Sequence, residues 1–368
     1  MAHSSSDPLI DAIEARVYTV PTDQPEADGT IAWDSTTMVL VRARSGTVVG
    51  TGWTYGAAQC APMVTGVLAP LLIGRNALDD NFEAMVVAVR NSGRQGAIGY
   101  AISAVDIALW DLKARLLAVP LHRLLGAVRD EVPVYGSGGF TTYSPQRLAE
   151  QLGGWVHEQH IPRVKIKIGE SWGHDTARDL DRMHQARQII GGDAELFVDA
   201  NGGYTRKQAI RLAHRAAELD VHWFEEPVSS DDLDGLREVR DAVDADVAAG
   251  EYGFDLTYFR RMCQAQSVDC LQVDATRCGG ITEWLRAAAV AASFGLQVSG
   301  HCAPHVHVHA AAATANLRHL EWFHDHVRIE SLFFDGALDA DGGVLRPRSD
   351  PGNGLILREA DAEPFRVG

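Results

Sequence analysis

From Val132 onward one pattern repeats: a short apolar run, a polar residue at its end, then an amphipathic segment long enough for a helix. The runs are VPVYGSGG, RVKIKIG, LFVDAN, HWFEEP, DVAAGE, CLQVDAT and LQVSGH, and the segments between them include TARDLDRMHQARQIIG, TRKQAIRLAHRAAELD and ITEWLRAAAVAASFG. Short apolar runs bounded by polar residues read as strands buried on both faces, and the longer amphipathic segments read as helices. Strands alternating with helices lie parallel and are joined by right-handed crossovers. Seven or eight such units over about 200 residues close most simply into an α/β barrel of the (β/α)8 TIM type. An open doubly wound sheet is the alternative. Against it, no GxGxxG follows the first strand, and polar residues end nearly every strand instead of gathering at one switch point.

The chain before this repeat has a different character. ARVYTV, TTMVLVRARS and TVVGTGWTYG read as strands of a small sheet, with the polar, Pro- and Gly-containing stretch Pro21 to Trp33 as a long loop between the first two. Residues from Ala58 to Leu125 read as helical, above all AISAVDIALWDLKARLLAV, which Pro120 terminates. The expected division is an N-terminal α+β domain over 1–128, a barrel over 129–332, and a polar, Gly- and Pro-rich C-terminal segment over 333–368 that packs back on the first domain.

In a barrel of this kind function sits where the strands end at their C-terminal rim. Those ends carry Lys165 and Lys167, then Asp199, Glu225, Glu251, Asp274, His301 and Glu321, and from Asp199 to His301 successive members are 23 to 27 residues apart, about one βα unit each. All therefore project into one mouth. Asp199, Glu225 and Glu251, on consecutive strands, make an oxygen-rich set that suits Mg2+. As isolated residues they could equally cap the helices that follow. Lys165 and Lys167 share one strand face, with Val164, Ile166 and Ile168 on the other. Only four of the chain's 33 basic residues are lysine, and lysine, unlike arginine, can lose its proton and act as a base. Mutual repulsion and a nearby cation are expected to lower at least one of the two pKa values towards neutrality. His301, with Asp274 ending the neighbouring strand, makes a second acid/base on the opposite side of the mouth. Glu226 is expected to face away from the metal, because adjacent strand residues point oppositely.

HCAPHVHVH admits a rival reading, since HxH on a barrel strand can bind zinc and activate water for hydrolysis. His305, His307 and His309, however, fall where the next helix is expected and would face different directions. The five cysteines, Cys60, Cys263, Cys270, Cys278 and Cys302, are scattered and without CxxC pairing, which argues against disulfides and zinc-thiolate sites alike. A formal net charge of −16 argues against nucleic-acid and anionic-membrane partners. No leader pattern and no apolar run of about 18 residues is present, so a cytoplasmic protein is expected.

With these residues in view the chain resembles the enolase superfamily, in particular its mandelate racemase-like subgroup. The resemblance rests on AVDIALWDLKARLLAVPLHRLLG, the lysine pair KIK, VDAN, EEP, AAGE, VDATRCGGITE, SGH and the late Glu321. It implies a capping domain over a modified barrel, with the stretches Pro21 to Trp33 and Gly50 to Cys60 closing on the substrate. It implies one Mg2+ per active site on Asp199, Glu225 and Glu251, with Lys167 as base on one face and His301, oriented by Asp274, as acid/base on the other. Lys165 and Glu321 would stabilise the enediolate from the carboxylate side, a Lys or His base with Mg2+ being a known pattern of this superfamily. Asn201 would bond a substrate hydroxyl. Trp33 and Tyr55 would line the substrate pocket. Barrel enzymes of this type are often symmetric oligomers, so a homo-oligomer is expected.

The implied chemistry is removal of the proton beside the carboxylate of a small molecule. Dehydration of a sugar acid to a 2-keto-3-deoxy acid is favoured, because His301 can protonate a departing β-hydroxyl and PTDQPEADGTIAW is polar. Racemisation or epimerisation of a 2-hydroxy acid remains open through Trp33, Trp53 and Tyr55, as does cycloisomerisation of a lactone. A zinc hydrolase and a non-catalytic binding relative are the readings from other classes.

Overall fold

The computed structural model describes residues 7–367; the expectation about a leader rests partly on Met1–Ser6, which lie outside it. Ala12–Ala27 (β1), Ala32–Ser45 (β2) and Val48–Tyr55 (β3) form an antiparallel sheet in the order β1-β2-β3. The stretch Pro21–Trp33, expected to be a long loop, is mostly extended strand, the end of β1 and the start of β2. After a register shift between Pro21 and Glu26, Glu26 faces Trp33 and Ala27 faces Ala32. Pro21 sits at the break, where a missing N–H is tolerated. The true turn is only Asp28 to Ile31, tied by Asp28 Oδ1 accepting from the amides of Thr30 (2.5 Å) and Ile31 (2.9 Å).

The long helix Ala97–Leu116 (α1) lies against this sheet at backbone distance. A Cβ on Gly50 would stand 2.3 Å from Ala108 O and Leu112 N, and one on Gly52 would stand 2.4 Å from Ala104 O and Ala108 N. Two glycines on β3 and a run of alanines on α1 thus permit a contact that larger side chains would hold apart. Gly residues in strands commonly mark such close approach.

Eight parallel strands follow: Val132–Gly138 (β4), Arg163–Lys167 (β5), Glu195–Asp199 (β6), Val221–Glu225 (β7), Asp246–Ala249 (β8), Cys270–Val273 (β9), Gln297–Gly300 (β10) and Leu317–Phe323 (β11). They pair in sequence order and β11 closes on β4, so the sheet is a barrel and not an open doubly wound sheet. Helices Pro145–Gly153 (α2), Thr176–Ile190 (α3), Arg206–Arg215 (α4), Leu233–Arg240 (α5), Leu256–Gln264 (α6), Gly280–Ser293 (α7), Pro304–Ala312 (α8) and His324–Phe333 (α9) alternate with the strands. The strand β11 is absent from the seven apolar runs because Arg318, His319 and Glu321 interrupt it; closure of the barrel is what requires it.

Register sets the site. Lys167 pairs with Asp199 and Asp199 with Glu225, so the chemistry-bearing ends of β5, β6 and β7 stand level. Beneath them Tyr135, Phe197, Trp223, Ala248 and Cys270 fill the barrel with a small apolar plug. Val164, Ile166 and Ile168 point the other way, into the main core under the helices.

The C-terminal segment bridges the two units. Val344–Leu345 pairs antiparallel with β4, the Val367 amide donates to Val17 O on β1 (2.9 Å), and the Asn353 amide donates to Asp111 on α1 (2.7 Å). Among the described residues no helix is long and apolar enough to cross a membrane.

Candidate active site

Most barrel strands that bear a site residue end in a sharp change of backbone direction. Gly169, Asn201, Glu226, Gly250 and Cys302 all have positive φ, from 38° at Glu226 to 135° at Gly250. A left-handed residue just past a strand swings the chain out towards the next helix and leaves the preceding side chain on the rim. For a non-glycine residue this conformation costs energy and is kept where the surroundings enforce it.

On one side of the mouth stand the lysines. Lys167 Nζ is 2.5 Å from Asp199 Oδ2, and Lys165 Nζ is 2.5 Å from Glu225 Oε1, 2.8 Å from Glu321 Oε1 and 3.8 Å from Asp199 Oδ2. Glu225 also accepts from Trp223 Nε1 (2.8 Å), and Glu321 from Ser137 Oγ (2.6 Å). On the other side His301 Nδ1 is 2.8 Å from Asp274 Oδ2, which leaves Nε2 turned towards Glu251 Oε2 at 3.3 Å. Asp274 is itself held by the amide of Thr276 (2.6 Å) and its hydroxyl (2.7 Å).

A cavity of about 230 Å³ lies between cap and barrel. Its barrel side carries Lys167, Asn201, Glu251 and His301, and its cap side carries Asp28, Ile31, Trp33, Ser35 and Thr36. Asp199, Glu225, Asp274, Lys165 and Glu321 form the layer beneath, each no more than 1% exposed. Trp33 is therefore on the wall, its indole donating to Glu26 (2.9 Å). Tyr55 is not. Its ring stacks on His326 and its hydroxyl donates to Glu330 Oε1 (3.1 Å), so β3 places it behind the wall, where it supports His326. Trp53 likewise bonds Glu330 (3.0 Å), away from the cavity.

Electrostatics bear on two expectations. From the protein's own groups alone, neither lysine has a lowered pKa. Burial, the largest single influence, pulls Lys167 down, but the combined attraction of Asp199, Glu321 and Glu225 outweighs burial and the repulsion from Lys165, and the ammonium is held above its usual range. The same balance, with Glu225, Glu321 and Asp199 as partners, raises Lys165. Repulsion across two residues is weaker than an ion pair at 2.5 Å. Glu226, expected to face away from the metal acids, shares their surroundings. Burial, then the charges of Glu251, Asp199 and Glu225, push its carboxyl well above the carboxylate range. The alternation fails because φ is 38° at Glu226, so it no longer belongs to an extended strand.

Six carboxyl groups, those of Asp199, Glu225, Glu226, Glu251, Asp274 and Glu321, are no more than 3% exposed, and among the described residues the permanent cations paired with them are Lys165, Lys167 and Arg277. The excess is visible at Glu225, whose pKa burial, together with Asp199 and Glu321, raises to about 8 despite Lys165. Glu251 Oε2, Glu226 Oε1 and Asn201 Oδ1 are buried without a hydrogen-bond partner. Hard oxygen donors in excess, with orphaned lone pairs, fit a divalent cation such as Mg2+. Oxygens of Asp199, Glu225 and Glu251 do not converge to within 4.8 Å of one another; each is turned to a basic partner instead.

Arg277 is a site residue that the sequence reading missed. It sits between Glu251 Oε1 (3.0 Å) and Asp274 Oδ2 (3.4 Å), with its guanidinium over Tyr252 at 5.4 Å. Its spacing of three from Asp274 was the available signal. The other histidines of HCAPHVHVH are structural: His305 bonds Glu330, His307 bonds Ala303 O and receives the Ala275 amide, and His309 bonds Asn353 O. They lie on α8 and turn to different partners, so HxH makes no shared metal site here.

Comparison with known proteins agrees with this architecture. Residues 12–126 match the family model for the mandelate racemase / muconate lactonizing enzyme N-terminal domain, and residues 147–361 match the enolase C-terminal domain-like model. L-talarate/galactarate dehydratase of Salmonella typhimurium is 35% identical over 265 residues, covering 69% of this chain and 65% of that protein. A mandelate racemase/muconate lactonizing enzyme-like protein from Rubrobacter xylanophilus superposes with a TM-score of 0.94 at 49% identity, covering 98% of this chain and 100% of that one. A racemase from Streptomyces coelicolor, crystallised with bound magnesium, superposes with a TM-score of 0.91 at 29% identity, over 98% and 100% of the two chains. Further relatives bear the names of sugar-acid dehydratases, cycloisomerases and an epimerase. One model covers the cap and the other the barrel from α2 onward with most of the C-terminal segment, so the match reaches both domains, and the chain belongs to the mandelate racemase/muconate lactonizing enzyme family of the enolase superfamily.

Proposed function

We propose that this enzyme dehydrates a sugar acid to a 2-keto-3-deoxy acid by removing the proton beside the carboxylate. The observation that carries the reading is that Lys167 and His301 line one cavity whose wall also offers the polar groups of Asp28, Ser35, Thr36 and Asn201 beside Ile31, Trp33, Tyr252 and Phe323. Lys167 Nζ would take the C2 proton. His301, its Nδ1 fixed by Asp274, would give a proton from Nε2 to the β-hydroxyl as the C3–O bond breaks, and the enol formed would tautomerise to the 2-keto acid. Lys165, beneath the cavity between Glu225 and Glu321, would place positive charge behind the carboxylate where the enediolate develops. Asn201, whose Oδ1 is unpartnered, would accept from a substrate hydroxyl.

Asp199, Glu225 and Glu251 would hold Mg2+, with Glu226 close by. Bound there, the ion would supply positive charge beside the enediolate and compete with Lys167 for Asp199, which lets the ammonium pKa fall towards that of a usable base. Names of relatives as dehydratases of galactarate, arabinonate, gluconate and rhamnonate support the sugar-acid reading.

The test is a panel of sugar acids and aromatic 2-hydroxy acids in deuterated buffer with Mg2+, following both keto product and α-deuterium. Keto product from a sugar acid is the expected result. Deuterium exchange with inversion and no keto product would replace dehydration with racemisation or epimerisation. Turnover unaffected by a chelator would remove the metal from the mechanism.

A further inference from the structure

Cys302 takes no part in the reaction as proposed, yet its thiol stands on the cavity wall beside His301. Adjacent residues of a strand would face oppositely. Here Cys302 (φ 52°) and Ala303 (φ 37°) are both left-handed, and this turn folds the Cys302 side chain alongside the imidazole that precedes it. The result is a tight triangle: Cys302 Sγ is 3.3 Å from His301 Nε2 and 3.5 Å from Glu321 Oε2, and His301 Nε2 is 3.8 Å from Glu321 Oε2.

We propose that His301, Cys302 and Glu321 form a second cation site, for Zn2+ or another thiophilic divalent ion, distinct in its ligands from the acids assigned to Mg2+. A tetrahedral zinc with ordinary bonds to N, S and O separates its ligands by about 3.4–3.6 Å, and the triangle is already within a few tenths of an ångström of that. Each ligand is also pre-aimed. Asp274 occupies His301 Nδ1, the arrangement that leaves Nε2 as the ligand atom of a metal-binding histidine; Nε2 here also stands 3.3 Å from Glu251 Oε2. Lys165 and Ser137 occupy Glu321 Oε1, which leaves Oε2 to the triangle, where the Cys302 amide (2.9 Å) steadies it. His301 and Cys302 line the cavity. On binding, the Cys302 thiol proton leaves to solvent and the thiolate pair bonds the ion; no electron is transferred. Mg2+ is excluded by ligand softness.

The cation site stands on this geometry alone. Its consequence rests on the dehydratase reading: an ion on His301 Nε2 removes the proton donor for the β-hydroxyl, so zinc would inhibit turnover by more than tenfold in the presence of saturating Mg2+.

Cobalt reports the site directly. Titrating Co2+ into the Mg2+-loaded enzyme is expected to give a near-ultraviolet thiolate-to-cobalt charge-transfer band that saturates at one equivalent, and to give none in Cys302→Ser or His301→Asn. Absence of the band in the wild type, or its persistence in Cys302→Ser, overturns the proposal. Should the variants fail to fold, alkylation of the wild type by iodoacetamide with mass mapping decides. Protection of Cys302 by Zn2+ but not by Mg2+ supports the site, and equal labelling with either ion overturns it. A band without any dehydratase turnover would retain the site and sink the dehydratase reading instead.

Discussion

Lys167 and His301 meet the same cavity from opposite strands of the barrel, and their replacement separates the reactions this site could run. Lys167→Ala and His301→Asn are each expected to lower keto-acid formation by about 10²–10⁴-fold, the usual size of a general acid/base contribution. A racemase would instead keep deuterium exchange on one face in each variant, which kinetics in deuterated buffer would reveal. At Asp106 a different residue-scale effect is expected. It is buried on α1 and accepts from the Thr282 amide (3.0 Å) and hydroxyl (2.6 Å) at the start of α7. Burial outweighs those bonds and raises its pKa from 3.8 to about 7. Because the folded state holds this proton more tightly than the unfolded chain, Asp106 favours folding at low pH, and that contribution is lost as pH rises from about 4 through 7. Urea unfolding of Asp106→Asn should therefore show a smaller fall in stability across that range than the wild type; an unchanged slope would sink the assignment. Lys165, Lys167, His301 and the strand-end acids were legible because each ends or lines a strand at βα spacing. Glu226 and Tyr55 were misread because alternation says nothing about a left-handed residue or about which layer a side chain reaches.

Elements were read with uneven success for equally physical reasons. Strands buried on both faces are continuous apolar runs, and helices between them keep a strong period, so β4 to β10 stood out. The strand β11 and the hairpin through Pro21–Trp33 did not, because each carries polar residues towards the site or solvent and depends on partners distant in sequence. The join between β3 and α1 yields a sharp test. Gly50→Ala puts a methyl 2.3 Å from backbone atoms on α1, and backbone cannot yield as a side chain would. Destabilisation of at least about 1–3 kcal/mol is expected from overpacking, read as a lower urea midpoint with the same slope. A neutral result would mean that the helix stands further from the sheet than described.

At the scale of the molecule the distribution of charge bears on substrate choice. Among the described residues lining the cavity, the permanent cations are Lys167 and Arg277, and both are paired on the barrel side with Asp199, Glu251 and Asp274. Burial keeps the His326 ring neutral by pushing its pKa well below 6.5, and the cap side contributes Asp28. A second carboxylate at the far end of a substrate would meet no free cation there. Monocarboxylic sugar acids should therefore be turned over with kcat/KM at least about tenfold above dicarboxylic acids of the same length and configuration, since an unpaired charge in a cleft is a strong discriminator; equal values would place the far end elsewhere. The sequence alone determined the barrel and the set of strand-end residues, because periodicity and strand-end spacing are local properties that survive without coordinates; the cap and the family of chemistry came with the resemblance that its motifs carry. Only the tertiary structure decided how the charges are balanced, that Tyr55 stands behind the wall, that Arg277 spans Glu251 and Asp274, and that Cys302 closes a triangle with His301 and Glu321. Those facts depend on backbone turns and on pairs distant in sequence, such as Tyr55 with Glu330, 275 residues apart, and a linear pattern carries neither.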